Sequence, residues 1–142
     1  MTTFEPSRFL RRVLLADAVL AGGAGVLMAA LATPLQPWLM LPAALVLAAG
    51  LGFIVFAVFA AVAARSRTPS RAAIWAVILI NAIGAIECAA LLMTGMVTPS
   101  ALGLAFVLAL MLVMAVFAVL EYAGLRQSPR TTDVRMPVAN RS

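Results

Sequence analysis

The stretch FLRRVLLADAVLAGGAGVLMAALA, Phe9 to Ala32, decides the fold. After Arg11 and Arg12 the chain runs from Val13 to Ala32 with Asp17 as its one charge, and Thr33-Pro34 then interrupts it. A bilayer's hydrocarbon core, about 30 Å thick, is crossed by about 20 residues of helix rising about 1.5 Å each. This segment has the length and the apolarity to cross. Working outward, three more segments pass the same test, which puts spans at about 10–32, 43–64, 71–94 and 100–124. Pro34, Pro37 and Pro42 argue against a continuous helix between the first two. Thr68-Pro69 and Thr98-Pro99 each read as an N-cap followed by a first-turn proline that opens the next span, and Gly95 reads as a stop.

The basic residues orient these spans. All ten are arginines, and they fall in three clusters: Arg8, Arg11 and Arg12; Arg65, Arg67 and Arg71; Arg126, Arg130, Arg135 and Arg141. Loops that keep Lys and Arg stay on the cytoplasmic side, so both termini and the middle loop are expected there. Trp75 and Tyr122 fall near the cytoplasmic ends of spans three and four and Trp38 in an outer turn, where interfacial aromatic rings prefer to sit. The expected architecture is all-α: residues 1–125 as an integral membrane bundle of four antiparallel transmembrane helices, N-in and C-in. The segment 126–142, rich in Ser, Thr, Pro and Arg, has too few large apolar groups to fold alone and is expected to be a disordered basic cytoplasmic tail. Arg11-Arg12 and Ala30-Leu31-Ala32 imitate a signal peptide. An apolar run of about 20 residues is longer than the roughly 7–15 of a signal h-region, so the first span is expected to stay.

Composition excludes several functions. A chain of 142 residues that is 65% hydrophobic and 11% charged, with mean hydropathy +1.12, cannot hide its apolar surface in a water-soluble core. Its net charge of +5 belongs to arginines beside the spans, which face anionic headgroups, so the bilayer and not nucleic acid is the expected partner. The absence of histidine removes His-ligated haem or zinc and every Ser-His or Cys-His nucleophile pair. Cys88 stands alone, and the methionines read as packing, so neither a cofactor nor a metal is expected.

Four polar residues inside the spans are the candidate sites: Asp17, Asn81, Glu87 and Glu121. An ionisable group in hydrocarbon costs a few kcal/mol and calls for a partner or a role. Asp17 heads a stripe of small residues, Ala21, Gly25, Ala29 and Ala32, which is expected to be a packing face together with Gly50, Gly52 and Ala57 of span two. On that face Asp17 is either a structural group, bonded to a neighbouring helix or to Arg11, Arg12 or Arg71, or a protonation site. Asn81 and Glu87 are six residues apart, about 120° around a helix, and so serve different faces. Asn81 is expected to make an interhelical hydrogen bond. Glu87 lies beyond the midplane, out of reach of any arginine, and is divided between an oligomer contact and a proton or cation site. Glu121 is expected to pair with an interfacial arginine.

The opening Phe9 to Ala18, the Ile80-Asn81 pair and the segment Thr98-Pro99-Ser100-Ala101-Leu102-Gly103 resemble a group of small bacterial four-span inner-membrane proteins that are functionally uncharacterised. The resemblance implies the bacterial inner membrane and this threading, and no activity. A single four-helix bundle has little interior, so a homo-oligomer or a larger membrane complex is expected. The first functional expectation is a non-enzymatic accessory or assembly subunit acting through helix association. The alternative is a small oligomeric proton- or cation-coupled transporter or channel using Asp17 and Glu87.

Overall fold

The computed structural model describes residues 3–4, 6–128 and 130–131. It is an all-helical bundle: α1 (Arg8–Leu39), α2 (Ala43–Arg65), α3 (Arg71–Met93) and α4 (Ala101–Gln127), each long and apolar enough to cross a membrane. Two-residue strands β1 (Thr3–Phe4) and β2 (Arg130–Thr131) pair antiparallel beside it.

The helix ends follow local chemistry. Ser7, Ser70 and Ser100 cap α1, α3 and α4, each accepting at its Oγ a backbone N–H three residues on, from Leu10, Ala73 and Gly103. The Thr-Pro pairs therefore stand just outside the helices they were expected to open, and serine two residues later does the capping. Thr94 ends α3, and Gly95 follows at φ +67, the left-handed conformation that glycine adopts without steric cost. Thr33-Pro34 was expected to end the first span, but α1 continues through Pro34 and Pro37 to Leu39. Each proline removes one N–H from the helical ladder and leaves its neighbours intact, a loss that packed membrane helices tolerate. The stop falls at Met40, left-handed at φ 53, whose N–H bonds to the Gln36 carbonyl. At about 1.5 Å per residue α1 is near 48 Å long, more than a hydrocarbon core needs.

Cross-chain bonds gather the helix ends into two groups. At one, Ser7 N–H donates to Ser128 Oγ (3.0 Å), Arg11 donates to the carbonyls of Ser66 (2.7 Å) and Arg67 (3.3 Å), and Gly124 faces Leu10. At the other, Ser100 N–H donates to the Leu39 carbonyl (3.0 Å) and Ser100 Oγ donates to the Trp38 carbonyl. The arginines of the first two clusters and Arg126 thus flank the same end. The expected tail starts later than Arg126, because α4 holds Arg126 and Gln127 and Ser128 bonds back to the Gly124 carbonyl. Its residues 129 and 132–142 lie outside the described residues.

The seam between α1 and α2 is built on glycine. A Cβ placed on Gly25 would stand 2.7 Å from the Gly50 carbonyl oxygen, and one on Gly50 would stand 2.7 Å from the Ala29 nitrogen. The two backbones therefore touch where a larger residue would hold them apart, as small-residue stripes allow. Ala21, Ala32 and Ala57 are buried along this face. Gly52, expected there too, is exposed, and a Cβ on it would meet nothing within 4 Å. Being two residues from Gly50, it points away from the seam.

Candidate functional site

Leu10, Leu14, Ala18 and Ala21 of α1, Ile74, Val77 and Ile78 of α3 and Leu125 of α4 belong to one buried apolar cluster. Each helix also carries a polar residue in register with that cluster: Asp17 one turn past Leu14, Asn81 one turn past Val77 and Ile78, Glu121 one turn before Leu125. Packing that buries the apolar stripes therefore brings the three polar groups together. Asp17 is 3% exposed, Asn81 2% and Glu121 0%.

One amide nitrogen joins them. Asn81 Nδ2 donates to Asp17 Oδ2 at 2.7 Å and to Glu121 Oε2 at 3.3 Å, which uses both of its hydrogens. The Asp17 and Glu121 carboxyls thus meet at one nitrogen. Glu121 Oε1 is buried with no hydrogen-bond partner. Two carboxyls, one amide and a vacant acceptor make a site suited to holding and releasing a proton. Among the described residues no three His, Cys, Asp or Glu side chains gather as a metal site would require.

Glu121 departs from its expected place at an interfacial arginine. Nearly two helical turns of α4 follow it, Gly124 lets Leu10 come within about a van der Waals contact of the α4 backbone, and Glu121 is fully buried. Arg126 instead lies 5.8 Å from the centroid of the Tyr122 ring, which meets Trp75 at 5.9 Å. The missed signal was the helical spacing Phe117, Glu121, Gly124, Leu125, all buried, which reads Glu121 as part of an inward face.

Glu87 does not join the cluster. It is exposed on α3, beside exposed Ile83 (52%) and Ile86 (67%), and opens on a cleft of about 530 Å³ beside α2 and α4. Asn81 lines the same cleft, so one amide touches both the buried acids and this space. No protein-family model, curated protein or solved structure matches the chain.

Proposed function

We propose that this is a multi-pass protein of the bacterial inner membrane, four antiparallel spans with both termini cytoplasmic, that acts as a small proton- or cation-coupled carrier. One observation carries the reading: Asp17, Asn81 and Glu121 come from three helices, are all but fully buried, and are bonded to one another through a single amide. A purely structural contact between helices needs one donor and one acceptor. A second acid held by one long bond of 3.3 Å, with its other oxygen unpartnered, adds more desolvation cost than that bond returns, which is the pattern of a site whose occupancy changes. In this reading the proton-holding pair is Asp17 and Glu121, in place of the expected pair of Asp17 and Glu87. An amide donor favours the ionised form of an acid, so a proton is taken up when Asn81 is drawn away and released when it returns, with Glu121 Oε1 the open acceptor.

The threading is supported by the arginine clusters flanking one end of the bundle and by the bonds that tie Ser7 to Ser128 and Leu39 to Ser100. Reporter fusions after Ser66 and after Gly95 test it: cytoplasmic at the first and external at the second is expected, and the reverse overturns it. For the coupling, the full chain in liposomes with an imposed pH gradient is expected to take up protons. Asp17→Asn and Glu121→Gln are each expected to abolish that uptake while leaving the protein inserted and monodisperse. Uptake unchanged by both would sink the carrier reading.

A second reading, an accessory or assembly subunit acting through helix association as a homo-oligomer or in a larger complex, draws on α3 and α4. Only 17% of each of their apolar spans is buried, against 39% for α1, which leaves wide faces for other helices. Co-purification of a stoichiometric membrane partner in mild detergent, with no proton uptake, is the result that favours it.

A further inference from the structure

The geometry points to the cleft between α2, α3 and α4 as a binding site for a membrane-soluble organic cation, with Glu87 as its counter-charge. The volume, about 530 Å³, is that of a small-molecule site, typically about 300–1,000 Å³. Its walls are apolar apart from Asn81, Cys88 and Glu87, and Glu87 is the only charged group in them. Glu87 forms no hydrogen bond or ion pair among the described residues, and it sits sixteen residues past Arg71 on a helix that ends at Met93. That places the carboxyl about 9 Å from the Met93 end, inside the hydrocarbon and remote from the arginines flanking the other end.

The lining selects a chemical class. Phe53 and Phe56 of α2 and Phe106 of α4 line the cleft, and aromatic faces attract cations through the ring quadrupole. A carboxylate among phenylalanines favours a positive charge borne on an apolar body. It repels an anion, and it leaves an acyl chain with nothing to answer the carboxylate. Gly52, with open space where a side chain would be, contributes to the width of the cleft. A ligand here lies against Asn81, the residue that donates to Asp17 and Glu121, so its arrival and departure bear on the amide that sets how readily those acids take a proton. As a substrate assignment this rests on the carrier reading. As a binding site it is tested without transport.

The test uses the purified full chain in detergent with two probes of the same shape and opposite charge, tetraphenylphosphonium and tetraphenylborate, measured by equilibrium dialysis. Phosphonium binding near one equivalent per chain is expected, with borate binding at least tenfold weaker. Glu87→Gln is expected to weaken phosphonium binding at least tenfold, and Gly52→Leu, which puts a side chain into the space, to remove it, with both variants eluting as the parent does. Cys88, half-exposed in the same cleft, supplies a second readout: phosphonium should slow its alkylation by N-ethylmaleimide in the parent and not in Glu87→Gln. Equal affinity for the two probes, or affinity unchanged by Glu87→Gln, would overturn the proposal and leave an apolar groove for lipid chains. Binding as expected with no coupled proton flux would overturn the carrier reading and leave this site standing. Proton flux with no phosphonium binding would do the opposite.

Discussion

Between α1 and α2 the backbones meet through Gly25 and Gly50, whereas between α2 and α3 the helices part and leave a cleft. The same helix, α2, takes part in both. Gly50 and Gly52 stand two residues apart on it, one pressed into the seam and the other opening on empty space. The contrast sets close packing on one side of a helix against open space on the other. Lipid offers helices no hydrophobic drive to associate, so close backbone packing has to supply it, and the α1–α2 seam concentrates that packing. The other side of α2 is left with the cleft proposed above as a binding site.

The comparison can be broken most forcefully at the seam. Gly25→Val would push a branched side chain into the Gly50 carbonyl and the Ile54 nitrogen, both backbone atoms that cannot swing aside. A loss of about 3 kcal/mol or more is expected, the upper end for overpacking, seen as a collapse of the thermal midpoint in detergent. Asn81→Leu comes next, because it strips two acids of their only amide donor. A loss of about 2 kcal/mol is expected, together with loss of proton uptake. A stable Asn81→Leu variant with intact uptake would show that the cluster is not the proton site. Tyr122→Leu removes the ring contacts to Trp75 and Arg126 and is expected to cost about 1 kcal/mol in the same melt. Gly52→Ala sharpens the contrast from the other side. With nothing within reach of its Cβ, it is expected to change stability by less than about 0.5 kcal/mol, against the large effect expected at Gly25, which packs on Gly50 two residues away.

The four helices were legible because bilayer thickness imposes a length that composition alone can meet. The small-residue face of the first span was legible too, since Ala21, Gly25 and Ala32 recur at helical spacing and are buried. The run of α1 through Pro34 and Pro37 was not. Proline signals a missing bond, and whether the helix survives depends on neighbours that no local reading includes. The candidate site was half legible. Asp17 and Asn81 were each flagged, but pairing α1 with α3 through that bond is a tertiary fact, and Glu121 was misplaced because a residue near a helix end reads as interfacial until packing against other helices buries it. Glu87 stays out of the buried cluster, as its angle from Asn81 implied, but both line one cleft, and that space arises only where α2 and α3 diverge.

The bond from Ser7 to Ser128, with Thr3 and Phe4 paired against Thr131 and Arg130, has a consequence for chain connectivity. First and last helices are stitched together at one rim, so the protein is topologically almost a circle. A short peptide bridging the ends, with the chain cut instead between Ser66 and Ser70, should yield a permutant that inserts its helices in a new order and still assembles the same interior.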